Sequence, residues 1–286
     1  MIEIYLQDKL DHYHLLKDLK NGLRTFIKNG VIELSLASDR LMIIIDENFN
    51  FDEIIKPVIA EILKKHVIES KEEIWLLDII DNIFFYDDRE EQTEILAMAK
   101  SILSGERLDL PNVTKLFLTE QLIYSAFMDY LTRDSKFCYE SFLTFRLKGY
   151  FDKLIDCVEM SIDEYQLEQE YQNLVESFRY YLKSRSPELT CVHLVIDEDY
   201  FFYDEFFQLI SGEKLASYLD MEIIFEIGVP TEEMVISPLV SIAPMEIHLY
   251  CDEIDNTVIH SIQNIFQERV KLYNKEEFQV ISSSLT

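Results

Sequence analysis

The chain of 286 residues contains only six glycines, and all six are isolated from one another. Loops that hold nucleotide phosphates need closely spaced glycines, because a residue without a side chain lets backbone amides approach a phosphate. Neither G-x-G-x-x-G nor G-x-x-x-x-G-K-[ST] is present, and H-E-x-x-H and G-x-S-x-G are also missing. The sequence therefore lacks the common signatures of nucleotide-binding proteins, zinc proteases and serine hydrolases.

Basic residues are scarce as well. The chain has 26 lysines and arginines against 54 aspartates and glutamates, which gives a formal net charge of -28. Beyond Arg185 the imbalance is steeper, with four basic residues against 19 acidic ones, a balance of -15. Such a charge repels phosphate backbones and anionic lipid headgroups. We therefore expect no nucleic-acid and no membrane partner, and a protein partner of basic character.

Cysteines and long apolar runs are few. Four cysteines occur without a C-x-x-C pair, which argues against a local zinc knuckle or redox dithiol and favours buried free thiols: Cys138, Cys157, Cys191 and Cys251. Apolar runs such as Leu41–Ile45 are far shorter than the roughly 20 residues of a membrane span. The first residues do not resemble a signal peptide. We expect a cytoplasmic protein without a metal site or a cofactor.

The apolar pattern predicts an α+β fold in three parts: a small N-terminal β-α-β-β unit over residues 1–50, a central helical body over 51–186, and an acidic C-terminal α/β unit over 187–286. The first part contains strands near 2–6, 31–37 and 40–46 and a helix near 12–28, with Ser38-Asp39 as a hairpin turn. The body contains helices near 52–68, 72–86, 88–104, 115–132 and 136–184. A helix as long as the last would exceed about 60 Å, so a break near Gly149 or Ser161 is expected.

In the third part, strands are predicted near 190–196, 245–250 and 269–273 and helices near 231–242 and 256–267, with residues 200–228 left open. His193 and His248 lie in two of these strands, flanked by apolar residues. They could face each other as a general acid/base pair, or be ordinary sheet histidines with satisfied hydrogen bonds. Five acidic residues near His193 could gather a divalent metal, or form a solvated turn: Asp197, Glu198, Asp199, Asp204 and Glu205.

Six aromatic residues are concentrated in the segment from Tyr200 to Phe207. Aromatic density of this kind is typical of a core or of an interface hot spot. Stacking on nucleic-acid bases is disfavoured, because no basic residue lies between Arg185 and Lys214. Tyr200 and Phe202 are therefore candidate binding residues for a protein.

Two blocks of sequence resemble a known family. The first is FLTFRLKGY at 142–150, followed by Asp163-Glu164-Tyr165 and Glu170-Tyr171. The second is LVSIAPMEI at 239–247, followed by Ile265-Phe266 and Arg269-Val270. Together they resemble the YtxC-like family of sporulation proteins from endospore-forming bacteria. The resemblance implies a cytoplasmic location and a connection with sporulation, and it implies no particular reaction, ligand or partner.

The first block also contains candidate binding residues: Phe142, Arg146, Lys148 and Tyr150. The i, i+4 spacing of the predicted helix puts Phe142, Arg146 and Tyr150 on one face. An arginine beside aromatic rings can stack on them and still donate to a carboxylate. Arg146 could therefore bridge to an acidic residue of the fold, or anchor a partner carboxylate or small anion.

From these observations we expect a cytoplasmic, non-enzymatic interaction or regulatory protein associated with sporulation. It would bind a protein through its acidic C-terminal surface and exposed aromatic residues. The alternative is a small-molecule-binding protein or an enzyme of unfamiliar type. Its site would lie near Arg146, with Lys148 and Tyr150, or near His193 and His248.

Overall fold

Two four-stranded sheets, each mixing parallel and antiparallel pairs, are combined with a larger set of helices. The structure is a computed structural model, and it describes residues 1–37, 40–107, 109–110, 119–197, 199–220, 235–252 and 257–284. The chain divides into two units, Met1–Gln166 and Leu167–Thr286. The predicted α+β class with a helical body is confirmed. The three-part division at residues 50 and 186 stays a prediction.

The sheet of the first unit has the strand order β2-β3-β1-β4, with β1 and β4 parallel and the other pairs antiparallel. Its strands are β1 (Ile2–Tyr5), β2 (Ile32–Leu36), β3 (Arg40–Ile45) and β4 (Lys136–Cys138). Because side chains alternate along a strand, Ile2 and Ile4 enter the core while Glu3 lies on the other face. The Glu3 carboxylate accepts hydrogen bonds from Arg40 at 2.8 Å and forms an ion pair with Lys136 at 2.6 Å. These ion pairs link β1 to both neighbouring strands.

Among the described residues of the first unit, seven helices precede the long helix α8 (Lys148–Ser184): α1 (Lys9–Gly22), α2 (Arg24–Lys28), α3 (Lys56–Val67), α4 (Glu73–Asp78), α5 (Arg89–Leu103), α6 (Thr119–Tyr130) and α7 (Tyr139–Arg146). Short π-helical segments adjoin α3 and α4 at Phe51–Ile55, Ile68–Glu72 and Ile79–Ile83. Aspartate side chains cap the first turns of α1 and α5. Asp8 accepts from the amide of Leu10 at 2.7 Å, and Asp88 from that of Glu90 at 2.8 Å.

The longest helix, α8, runs from Lys148 to Ser184 over 37 residues. It is separated from α7 at Leu147, so the predicted break lies close to Gly149 and not at Ser161. Ser161 is buried inside α8 and donates a hydrogen bond from its hydroxyl to the carbonyl of Cys157 at 2.7 Å. The boundary between the two units falls within α8.

The sheet of the second unit has the strand order β6-β5-β7-β8. Its strands are β5 (Cys191–Ile196), β6 (Tyr200–Tyr203), β7 (Glu246–Tyr250) and β8 (Val270–Tyr273). β5, β7 and β8 are parallel, and β6 pairs antiparallel to β5 at one edge. Four helices complete the described part: α9 (Gly212–Tyr218), α10 (Ile236–Ile242), α11 (Thr257–Phe266) and α12 (Lys275–Ser284).

Most of the predicted elements are present, with boundaries shifted by a few residues. The exceptions are β4 and α7, which occupy the start of the predicted helix 136–184, and α12, for which no element was predicted. The predicted turn Ser38-Asp39 and the first residues of the helices predicted at 115–132, 231–242 and 256–267 lie outside the described residues. In the described part of the chain, no helix combines the length and apolar character that crossing a membrane requires.

Candidate functional site

The sheet of the second unit has one apolar face and one face that carries titratable side chains. Alternate residues of β5 and β7, such as Leu194 and Leu249, are fully buried in the core. The residues between them point the other way, because side chains alternate along a strand. That opposite face carries the groups that can exchange protons or bind metals: Cys191, His193, Glu246, His248, Tyr250 and Lys271.

Strand pairing brings the two predicted histidines together. In the parallel β5–β7 pair, His193 is the direct partner of His248, and their ring centroids lie 4.9 Å apart. His193 is almost completely buried and His248 is partly exposed. The sequence analysis expected that these histidines could face each other, and the structure places them so. Their acid–base role stays a prediction.

A third group, Cys191, joins the pair. Its Sγ lies 3.8 Å from Nε2 of His193. One ligand atom from each of Cys191, His193 and His248 lies within 4.8 Å of the other two. The sequence analysis treated all four cysteines as buried free thiols. The described cysteines are indeed free, but Cys191 is only partly buried. The signal that was missed is its position two residues before His193, which puts both on one face of a strand.

Hydrogen bonds outside this group orient both imidazoles. Nδ1 of His193 lies 3.1 Å from the Tyr250 hydroxyl oxygen, so Nδ1–H can donate there and leave the lone pair on Nε2, facing Cys191. Nε2 of His248 lies 3.2 Å from a carboxylate oxygen of Glu246, which also accepts from Lys271 at 2.9 Å. Partners of this kind fix the tautomer and direction of an imidazole.

The protonation states follow from burial. Burial and the neighbouring His248 lower the pKa of His193 to about 4, so this ring is neutral at physiological pH. Burial raises the pKa of the Cys191 thiol to about 11, with a further contribution from the carboxylates of Glu246 and Glu205. In the absence of a cation, Cys191 is therefore a thiol and His193 a neutral base.

Aromatic side chains cover this group. The ring of Phe207 stacks on His193, with centroids 3.9 Å apart. Phe207 adopts φ of 58°, a left-handed conformation that few residues with a side chain adopt. Phe278 of α12 contacts both Phe207 and Tyr250. The cover lowers the local polarity around the imidazole, and it comes from the segments that follow the two edge strands, β6 and β8.

One acidic side chain near the site lacks a partner. A carboxylate oxygen of Glu205 is buried and has no hydrogen-bond partner among the described residues. A buried carboxylate without a partner is costly, since its desolvation is not offset. Glu205 also raises the pKa of Cys191, so its negative charge acts on the site.

The remaining described members of the predicted acidic group have separate structural roles. Asp204 accepts hydrogen bonds from the amides of Phe206 and Gln208, both at 3.0 Å, and so closes the turn after β6. Asp197 accepts from Lys275 at 2.7 Å. Asp199 is exposed, and Glu198 lies outside the described residues.

The two aromatic candidates of the second unit have different environments. Phe202 is buried and belongs to the core, whereas Tyr200 is 41% exposed. Other exposed apolar side chains lie in the same hairpin, where the segment after β6 folds back so that Leu209 pairs with Tyr203. We use the name hairpin patch for the exposed apolar side chains of this hairpin, Tyr200, Phe201, Phe206 and Leu209. As neighbours in β6, Tyr200 and Phe201 lie on opposite faces of the strand.

The candidates of the first unit do not share one face, and that part of the sequence analysis was wrong. Because α7 ends at Arg146 and α8 begins at Lys148, the i, i+4 rule does not extend to Tyr150. Phe142 and Tyr150 are buried, while Arg146 is exposed and lies 5.4 Å from the ring centre of Tyr130. Arg146 thus lies over an aromatic ring, apart from the other two candidates. Its two predicted roles, a bridge to an acidic residue or an anchor for a partner carboxylate or small anion, stay predictions.

Tyr150 has a clear structural partner. Its hydroxyl donates a hydrogen bond to the carboxylate of Glu72. Burial raises the pKa of Glu72 despite this bond, and burial together with the Glu72 charge raises the pKa of Tyr150. The contact joins the start of α8 to the helical segment before α4.

An open cleft of about 410 Å³ lies beside Lys148. Its walls are largely apolar, and its lining residues are Lys71, Trp75, Glu140, Leu143, Thr144, Leu147, Lys148 and Phe151. Lys71 is paired with Asp11 at 2.6 Å, whereas Lys148 forms no ion pair with a described residue. The cleft therefore combines apolar walls with a rim that carries Lys148, which has no ion pair among the described residues, and also the carboxylate of Glu140.

Comparison with known proteins agrees with the resemblance of the two sequence blocks. No solved structure matches this chain. An uncharacterized protein YtxC from Bacillus subtilis (strain 168) is 30% identical over 275 residues, which cover 95% of this chain and 94% of that protein. The model of the YtxC-like family matches residues 57–271, which include both sequence blocks and the Cys191, His193 and His248 group. The chain therefore belongs to the YtxC-like family.

Proposed function

We propose that this protein is a cytoplasmic, non-enzymatic interaction protein with a regulatory role in sporulation, and that it binds a basic protein through the hairpin patch. The observation that carries the proposal is the exposure of large apolar side chains in one short hairpin, with Phe206 71% and Leu209 60% exposed. Aromatic anchors of this kind supply much of the binding energy at protein interfaces.

The charge around the patch selects the partner. Asp199 and Glu213 are exposed nearby in sequence, and the chain beyond Arg185 has a charge balance of -15. Opposite charge on a partner would speed the encounter and fix its orientation, while the apolar anchors would slow dissociation. A protein segment with lysines or arginines around an apolar anchor fits this surface, and nucleic acid does not.

The test is affinity capture from sporulating cells with the full chain and two variants. Phe206→Ala removes the most exposed anchor of the patch, and Phe145→Ala removes a similarly exposed phenylalanine from α7 as a matched control. We expect the wild type to capture a basic protein. The Phe206→Ala variant should capture at least about fivefold less of it, because removing an interface anchor costs more than about 1 kcal/mol of binding free energy. Phe145→Ala should capture it as the wild type does.

The salt dependence of that capture tests the charge argument separately. Raising the ionic strength from about 0.1 M to 1 M shortens the screening length from about 10 Å to 3 Å, so the partner should bind more weakly. Asp199→Lys should weaken binding in low salt and have little effect in high salt. Equal capture by Phe206→Ala and wild type, or a partner insensitive to both salt and Asp199→Lys, would contradict the proposal.

A second candidate function is supported by the cleft beside Lys148. A ligand with an apolar body and a carboxylate or other anion would match its walls and its rim. At 100 times its dissociation constant, such a ligand would stabilise the first unit by about 2.7 kcal/mol. A thermal-shift panel of aliphatic and aromatic acids should therefore raise the melting temperature of the wild type and not of Lys148→Ala. A panel without effect on the wild type would exclude this candidate for the compounds used.

A further inference from the structure

We propose that Cys191, His193 and His248 bind a transition-metal ion, and that zinc is the ion this ligand set fits best. A thiolate with two imidazoles suits zinc and related ions, whereas calcium and magnesium require oxygen ligands. The sequence analysis expected no metal site. It missed this one because the ligands come from two strands separated by more than 40 residues, without a local spacing motif.

The distances support coordination. In a tetrahedral zinc site with bonds of about 2.3 Å to sulfur and 2.0 to 2.1 Å to nitrogen, neighbouring ligand atoms lie about 3.3 to 3.6 Å apart. Here the Cys191 sulfur lies 3.8 Å from Nε2 of His193, and all three ligand atoms fall within 4.8 Å of one another. Contraction by about an ångström, within the reach of side-chain rotation, would complete the geometry.

The surroundings have the arrangement that metal-binding histidines require. A ligating imidazole usually donates its second N–H to an oxygen, which fixes the ring and raises its basicity. Tyr250 contacts Nδ1 of His193 at 3.1 Å, and Glu246 contacts Nε2 of His248 at 3.2 Å. Each histidine therefore has one nitrogen beside an oxygen, and in His193 the other nitrogen, Nε2, faces the Cys191 sulfur.

Local charge also favours a cation. The buried oxygen of Glu205 has no hydrogen-bond partner among the described residues. A divalent ion bound to the Cys191 thiolate would offset that carboxylate. Three protein ligands leave a fourth position, which a water molecule or a nearby carboxylate can fill, and sites with such an open position are typical of catalytic zinc.

The experiment is a titration of the chelator-treated full chain with Co²⁺, followed by displacement with Zn²⁺. Cobalt bound to a thiolate gives a charge-transfer band in the near ultraviolet and visible bands characteristic of tetrahedral geometry. We expect one equivalent of cobalt to produce these bands, and zinc to abolish them. Loss of a hydrogen bond to a metal ligand lowers metal affinity about 10- to 100-fold. Cys191→Ser and His248→Gln each remove a ligand itself, so each should lower zinc affinity by more than that.

Matched controls separate this site from adventitious binding. Cys138→Ser changes the other partly exposed cysteine, and His14→Gln changes an exposed histidine of α1. Both should bind cobalt as the wild type does. If Cys191→Ser does not fold, as judged by its circular dichroism without metal, the partly exposed His248 provides the deciding variant. Absence of the thiolate band in the wild type, or its full retention in the folded ligand variants, would overturn the proposal.

Discussion

Replacing Phe142 with alanine is expected to lower the free energy of unfolding of the first unit by about 3 to 5 kcal/mol. Phe142 is 4% exposed, and its ring stacks on Phe127 with centroids 4.4 Å apart and planes 11° from parallel. Tyr130 and Phe137 contact the same ring at 5.3 and 5.5 Å. The substitution would leave a cavity in this aromatic cluster. Denaturant unfolding monitored by fluorescence and circular dichroism measures the loss.

The control for this prediction lies on the same helix. Phe145 is 78% exposed, so Phe145→Ala should change the free energy of unfolding by less than about 0.5 kcal/mol. The comparison also decides between two roles for Phe142. A large loss of stability assigns it to the core, whereas equal stability of the two variants would contradict the packing argument and restore Phe142 as a binding candidate.

Replacing Tyr250 with phenylalanine is expected to weaken zinc binding about 10- to 100-fold, given the proposed site. The change keeps the aromatic ring and removes only the hydroxyl that contacts Nδ1 of His193. Without that partner the His193 imidazole can rotate or adopt the other tautomer. A smaller fraction of the molecules then has the imidazole oriented for metal binding. Competition with a chromophoric chelator measures the affinity, on protein held well below its melting temperature.

Tyr273→Phe is the matched control. Tyr273 lies beside Tyr250 on the neighbouring strand, with ring centroids 5.3 Å apart, and also loses only a hydroxyl. Tyr273 has no hydrogen bond to His193 in the described structure, so its variant should bind zinc as the wild type does. Equal zinc affinity for Tyr250→Phe and wild type would show that the contact does not position the imidazole.

The sequence was most informative where the apolar pattern is long and regular. The alternation in Ile2–Tyr5, the strand-like apolar run in Arg40–Ile45 and the helical period in Arg89–Leu103 correctly indicate β1, β3 and α5. The pattern failed for β4, because three residues are too few to show alternation and helix-compatible residues surround them. The strand forms because Phe137 can pair beside Ile4 across the sheet, a contact with a partner more than 130 residues away.

The helix break shows a different limit. Gly149 and Ser161 both have low helix propensity, yet both lie within α8. Ser161 is accommodated because its hydroxyl bonds to the carbonyl four residues earlier, which removes an unpaired buried polar group. The helix is interrupted at Leu147 instead, between the aromatic cluster around Phe142 and the buried Tyr150. Packing decided the position of the break, and local propensity did not.

Only part of the candidate site was visible in the sequence. His193 and His248 stood out because polar residues are rare within apolar strands. That they are direct partners depends on the parallel register of β5 and β7, which residue patterns do not specify. The Glu205 oxygen without a hydrogen-bond partner and the stacking of Phe207 on His193 both depend on the turn after β6. The sequence analysis left the secondary structure of that segment open.

The parallel pairing of β1 with β4 bears on how the protein is made. A ribosome releases β1, β2 and β3 early, and these three strands can pair at once by local hairpin and crossover contacts. The other edge of β1 stays unpaired until β4 (Lys136–Cys138) has been synthesised, more than 90 residues after β3. An uncovered apolar edge invites pairing with other chains, and non-local closure is slow. During synthesis, the β1 edge of this sheet is therefore open to pairing with other chains until β4 has been made.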